Sequence, residues 1–175
     1  MHSFIRIDSL KLCTLIFLFT FLNVAYSGEN LIAVYGGAGS ANSIGESSLN
    51  LGLVRLPGSD NVLWGADISK EGTKLDSTYG QTNQQSSATS YNLIVGKNLM
   101  FLESSRIDVA LILGARETSE SCPPSYLGYR CYADSKPDTK YELNSGLVLF
   151  WTQSKLLLGI RATTASQQLL IGVTF

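Results

Sequence analysis

The sequence predicts an all-β fold: an eight-stranded antiparallel transmembrane β-barrel, formed after an N-terminal segment is removed on export. Three observations predict it. After residue 27 no stretch carries a helical period; short segments alternate apolar and polar residues and are broken by Gly, Ser, Asn and Pro. On strand after strand one side is Leu, Val and Ile with almost no charge, a surface that water would not tolerate on the outside of a barrel. Most segments also have the roughly 9–11 residues that a tilted strand needs to cross a bilayer. Backbone groups in lipid must be paired internally, so such strands have to close on themselves.

At 175 residues the chain makes one domain, residues 28–175, behind the exported leader. Charged residues are 15%, against about 25% in soluble proteins. A formal net charge of -1, with Lys and Arg scattered singly, gives no electrostatic case for nucleic acid. Residues 1–27 read as a signal peptide. Arg6 and Lys11 supply the positive start, Leu12 to Val24 is almost wholly apolar, and Ala25-Tyr26-Ser27 places small residues for cleavage before Gly28. The apolar run is short for a membrane-spanning helix. Cleavage removes Arg6, Lys11 and Asp8, leaving 11 basic and 13 acidic residues, a net charge of -2.

The first strand is expected over residues 30–39, rich in glycine. The second, 47–56, sets Leu49, Leu51 and Leu53 against Asn50 and Gly52. Pro57-Gly58-Ser59-Asp60 is a turn by composition. The third strand, 61–69, opposes Val62, Trp64, Ala66 and Ile68 to Gly65, Asp67 and Ser69; the polar stretch 70–87 then reads as a long loop. The fourth, 88–97, alternates Tyr91, Leu93 and Val95 with Ser90, Asn92 and Gly96. A turn covers 98–105, although Leu99 to Leu102 are apolar enough to extend a strand. The fifth, 106–116, opposes Ile107, Val109, Leu111, Leu113 and Ala115 to Asp108, Ala110, Ile112, Gly114 and Arg116. After a loop at 117–139 the sixth, 140–151, opposes Tyr141, Leu143, Leu147, Leu149 and Trp151 to Glu142, Asn144 and Gly146. A turn at 152–154 leads to the seventh, 155–163, with Leu156, Leu158, Ile160 and Ala162 against Gly159, Arg161 and Thr163. The last, 167–175, puts Leu169, Ile171, Val173 and Phe175 on one side and Gln168, Leu170, Gly172 and Thr174 on the other.

With the first strand starting on the periplasmic side, both long loops fall outside and the short turns inside, the asymmetry expected of such barrels. The aromatic residues Tyr35, Trp64, Tyr91, Tyr141, Trp151 and Phe175 are placed to form interfacial girdles. The polar side is expected to be the interior. It carries Asp67, Asp108, Arg116, Glu142 and Arg161, and an Arg116–Glu142–Arg161 network follows from hairpin register. On the lipid side each such charge would cost roughly 2–4 kcal/mol near the midplane. The interior of eight strands holds little beyond its own side chains, so a satisfied polar core is favoured over a selectivity filter.

Two cysteines remain after cleavage. Cys122 and Cys131 form an even pair in an exported chain, which reads as a disulfide. A zinc site lacks further ligands, since the only histidine, His2, leaves with the signal. The bridge would close a loop carrying Tyr126, Tyr129, Arg130 and Tyr132, types favoured at binding hot spots. Gly36-Gly37-Ala38-Gly39 lies in a strand with no following helix and is no phosphate loop. No cofactor, metal or catalytic residue is indicated.

The closing strand, Leu169, Ile171, Val173 and terminal Phe175, resembles the C-terminal strand of bacterial outer-membrane β-barrels. Together with the signal peptide, eight strands and two long outer loops, it makes the whole mature chain similar to small outer-membrane proteins such as the OmpA membrane domain and the OmpX/Ail group. The resemblance implies a place in the bacterial outer membrane and recognition of the last strand by the barrel assembly machinery. It implies outer loops that meet lipopolysaccharide or a host or neighbouring-cell surface, with a narrow pore for small solutes as the alternative. Barrel enzymes of that membrane that depend on a histidine find no counterpart in the mature chain.

Overall fold

The structure, a computed structural model, describes residues 31–42, 46–58, 61–79, 82–120 and 137–175. The expected signal peptide and the loop tip with Cys122, Tyr126, Tyr129, Arg130, Cys131 and Tyr132 lie outside the described residues. Eight strands follow in chain order: β1 (Ile32–Ala41), β2 (Ser47–Arg55), β3 (Val62–Tyr79), β4 (Thr82–Phe101), β5 (Ser105–Ser119), β6 (Thr139–Gln153), β7 (Leu156–Thr163) and β8 (Ser166–Thr174). Each pairs antiparallel with the next, and β8 pairs with β1, so the sheet closes into a barrel.

Register sets the size of that ring. The paired residues run from Ile32 through Arg55, Trp64, Val95, Leu111, Leu147, Ala162 and Gln167 back to β1 at Ser40, eight residues beyond the start. Eight strands staggered by eight residues give a strand tilt of about 36°, the geometry that fills the core of (β/α)₈ barrels with side chains. No open channel fits inside such a ring.

The period-2 alternation assigns the faces as expected. Leu49, Leu51, Leu93, Leu111, Leu143, Leu147, Ile160, Leu169 and Ile171 all point outward, with Leu143 at 74% and Leu169 at 70% exposure. On β6 this belt runs from exposed Tyr141 to half-buried Trp151. Ten residues at that tilt span about 27 Å, close to the roughly 25 Å apolar band of transmembrane barrels. Trp64 and Trp151 mark the edge near the termini; Tyr91 and Tyr141 mark the other edge.

Three expectations change. Tyr35 is not part of the girdle: it shares the inward phase of Ala33, is 1% exposed, and lies across the lumen edge-on to Phe150, with ring centroids 5.3 Å apart. Gly52 makes this possible, because a Cβ there would collide with the Tyr35 ring. Next, the interior is not polar throughout. Its half nearer the termini is an apolar plug built from Val54, Leu56, Leu63, Ile94, Ile112, Val148, Phe150 and Leu157. Finally, residues 70–87 are not one long loop but the far halves of β3 and β4. Outside the bilayer both faces of a hairpin can be polar, so no apolar alternation marks it. Contacts such as Thr73 Oγ1 donating to Gln85 Oε1 at 2.7 Å join the two strands instead. The turns likewise tighten, to Leu102–Ser104 and Ser154–Lys155.

A bulge bends this hairpin. Lys70 pairs with Thr89 and Thr73 with Ser87, so Glu71 and Gly72 together face Ala88. Gly72 adopts φ 70°, a left-handed conformation that disfavours any side chain. Beyond it β3 leans toward β5, where the Leu75 N–H donates to Ser119 Oγ at 2.7 Å.

Gly52→Ala should displace Tyr35 and destabilise the barrel by about 1–3 kcal/mol. Reversible urea unfolding of the protein folded into lipid measures this; an unchanged midpoint would show that Tyr35 does not depend on the missing Cβ.

Candidate functional site

The lumen is where sequence places charge, and it is layered. At the end near the termini, Arg106 on β5 makes a two-pronged contact with Asp108, Nε to Oδ2 and Nη2 to Oδ1 at 2.9 Å each, and donates from Nη1 to the Pro57 carbonyl at 2.9 Å. Asn98 adds a hydrogen bond to Asp108 Oδ1 at 2.9 Å, and the Arg106 guanidinium lies 5.4 Å from the Phe101 ring centre. Asp108 thus belongs to a clasp that ties the β4–β5 turn to the β2–β3 turn. Above it comes the apolar plug.

The middle layer centres on Arg161 of β7, which is fully buried. Its Nε donates to Asp67 Oδ2 at 3.2 Å, and Nη2 donates to Glu71 Oε1 at 2.7 Å. Both carboxylates come from β3, four residues apart on its inward face. Tyr35 Oη and Asn92 Nδ2 donate to Asp67 at 3.2 and 2.7 Å. Ser69, Thr163 and Ser166 donate through their hydroxyls to Glu71, the last two at 2.6 and 2.7 Å. Asn144 bridges Glu71 Oε1 and Asn92 Oδ1 at 3.2 and 2.9 Å. Strands β1, β3, β4, β6, β7 and β8 all reach into this one cluster.

The outer layer holds Arg116 and Glu142, which form an ion pair. Arg116 also donates to the carbonyls of Glu71 and Thr73 at 2.9 and 3.2 Å, fastening the bent β3 over β5. Lys74 Nζ meets Glu117 Oε2 at 2.9 Å, and Lys140 meets Glu120 at the same distance at the base of the long loop.

The expected Arg116–Glu142–Arg161 network therefore divides. Arg116 and Glu142 pair as register requires, Asp67 and Arg161 pair with each other, and Asp108 stands apart. Glu142 does not reach Arg161. The latter is level with Val148 on β6, six residues from Glu142, or roughly 20 Å along the strand. The carboxylate that Arg161 uses instead, Glu71, fell inside the stretch read as a loop. Its signal was present in the phase 67, 69, 71, which continues the inward face. Arg106, the first residue of the expected fifth strand, was not singled out, although its spacing of two from Asp108 puts it on the same face.

Every charge in the two deeper layers is satisfied by partners rather than presented to a passing molecule. Among the described residues no group of three or more His, Cys, Asp or Glu could hold a metal ion. The fold and this interior define the chain as a closed, side-chain-filled, eight-stranded β-barrel of the transmembrane type. Its fold is similar to that of the outer-membrane protein Ail of Yersinia pestis in a phospholipid bilayer nanodisc (14% identity, TM-score 0.47, covering 85% of this chain and 100% of that one). It is similar also to the N-terminal β-barrel domain of Pseudomonas aeruginosa OprF (11%, TM-score 0.48, 85% and 100%). A further similarity is to Yersinia pestis Ail, the attachment invasion locus protein, in complex with the heparin analogue sucrose octasulfate (13%, TM-score 0.44, 84% and 97%). No protein-family model and no curated protein matches the chain.

Removing Arg161 leaves two carboxylates buried without their counter-charge. Arg161→Met should cost about 3–5 kcal/mol of stability in denaturant unfolding. Combining it with Asp67→Asn and Glu71→Gln should regain most of that loss, because the uncompensated charges go too.

The hydrogen bond from Lys74 holds the Glu117 carboxyl below its usual 4.5, against a smaller opposing effect of burial. A carboxylate with a depressed folded-state pKa contributes its stability above the unfolded value and loses it as pH falls through the folded one. The stability difference between the native chain and Glu117→Gln should therefore be full near neutral pH and shrink below about pH 4.5, which unfolding midpoints across that range would show.

Proposed function

We propose that the chain is a non-enzymatic protein of the bacterial outer membrane, exported by the signal peptide 1–27, whose outer loops rather than its lumen meet partners. The observation that carries this reading is the pairing of an exposed apolar exterior with a sealed interior. Leu, Ile and Val stand outward at 41–70% exposure around the ring at Leu51, Val95, Leu111, Leu149, Ile160 and Leu169. Inside, Arg161, Tyr35, Phe150, Leu63 and Ile112 are almost wholly inaccessible. The exterior suits lipid, and the interior leaves no path for a solute.

What faces out of the cell is then the work of the hairpin from β3 to β4 and the loop after β5. We assign the pair Cys122–Cys131 as a disulfide, with Tyr126, Tyr129, Arg130 and Tyr132 as the contact residues of that loop for lipopolysaccharide or for a host or neighbouring-cell ligand. A bridge lowers the ordering cost of binding, and the Lys140–Glu120 pair at the loop base supports the same rigidity. Leu169, Ile171, Val173 and Phe175 face outward from the closing strand, and they are the proposed signal for the assembly machinery.

In planar bilayers the purified barrel should show no reproducible unit conductance. Discrete openings altered by substituting Arg161 or Arg116 would favour the narrow-pore reading instead. The membrane assignment itself fails if the unboiled protein stays soluble without detergent and shows no heat-modifiable shift on gels.

A further inference from the structure

The exterior is not uniform. On β6, β7 and β8 a groove of about 360 Å³ opens among Leu149, Trp151, Leu158, Ile160 and Leu169, with the β7 backbone at Gly159 as its floor. Register aligns Trp151 with Leu158 and Ile171, and, one step deeper, Leu149 with Ile160 and Leu169. The groove therefore starts at the Trp151 edge of the belt and runs inward along the half nearer the termini. Just below it, exposed Lys155 occupies the turn between β6 and β7. Three residues separate Lys155 from Leu158, or about 10 Å of strand. That spacing sets a cation at headgroup depth and an apolar slot at acyl-chain depth.

We propose that this groove binds one acyl chain of an anionic phospholipid from the leaflet on the side of the termini, with Lys155 holding the phosphate. This rests on the membrane reading above. A chain lying in the slot meets apolar walls on both sides and the strand beneath, whereas a chain against the flat belt meets one surface only. Dispersion contacts then multiply along its length. Trp151 suits the junction, since tryptophan sits at headgroup level with its ring toward the hydrocarbon. Lys155 confers the preference for negative headgroups.

The test is native mass spectrometry of the full mature barrel in detergent, with dioleoyl phosphatidylglycerol and dioleoyl phosphatidylethanolamine added in equal amounts. One phosphatidylglycerol should be retained about fivefold over phosphatidylethanolamine, the preference worth one lysine near a charged headgroup. Lys155→Glu should abolish the preference, and Ile160→Trp, which fills the slot, should lower retention of both lipids. A gel shift on heating establishes that each variant is folded; if Ile160→Trp does not fold, Lys155→Glu decides alone. Equal retention of the two lipids by the native chain and by Lys155→Glu would overturn the site. So would lipid-free dimers dispersed by Ile160→Trp, which would make a second copy the occupant. A chain soluble without detergent would remove the membrane reading, an outcome distinct from loss of lipid preference in a folded barrel.

Discussion

Everything in this structure depends on the hydrogen bonds that close β8 against β1. A strand edge exposed to hydrocarbon would leave a row of peptide groups without partners, each costing several kcal/mol. Closure removes both edges at once, and it does so only at particular registers. The pairing of Ser40 with Gln167 and of Ala33 with Thr174 sets the stagger of the ring. From that stagger come the tilt, the radius and the volume left inside.

That volume dictates how the barrel is held together. Lipid on the outside removes the usual gain from hiding apolar surface, since Leu143 or Leu169 meets apolar surroundings whether or not its neighbours are in place. The interior supplies what the exterior does not. Tyr35, Phe150 and their neighbours pack as a soluble core would, while Arg161 draws six strands toward one point through directional bonds. A buried ion cluster is weak evidence for net stability, but breaking it by removing one partner is severe. Its role here is to specify: only one register places Asp67, Glu71 and Arg161 together.

Most of the architecture was legible because a strand's side-chain period is two and the two environments differ so sharply. An inward Asp108 among outward Ile107 and Val109 is enough to orient β5. Legibility failed where that contrast disappears. Beyond the bilayer edge both sides of a hairpin meet polar surroundings, so residues 70–87 read as loop and Glu71 was lost with them. Inside the end near the termini both sides of the strands are apolar, so Leu63 and Ile94 were not singled out as inward, whereas Ile112 was placed inward by its phase with Asp108 and Arg116. Tyr35 shows a third kind of failure, since an aromatic near a strand end suits an interface equally well. Only the glycine across from it, Gly52, distinguishes the two, and that requires knowing which residues pair. The ion pairs followed the same logic: Arg116 with Glu142 came from one hairpin and was readable, whereas Arg161 with Asp67 joins strands far apart in sequence.

The stagger of the ring also decides where this chain can change length. One residue inserted between Trp64 and Asp67 would reverse the facing of every later position on β3, turning Asp67 toward lipid and Ile68 inward, and would shift its pairing with two neighbours. The same insertion beyond Ser119, or past the bulge at Gly72, leaves the ring untouched. Lineages carrying this barrel should therefore hold constant spacing between the two aromatic edges and accumulate insertions and deletions only above them, so that the outward-facing surface can diversify while the wall that carries it does not.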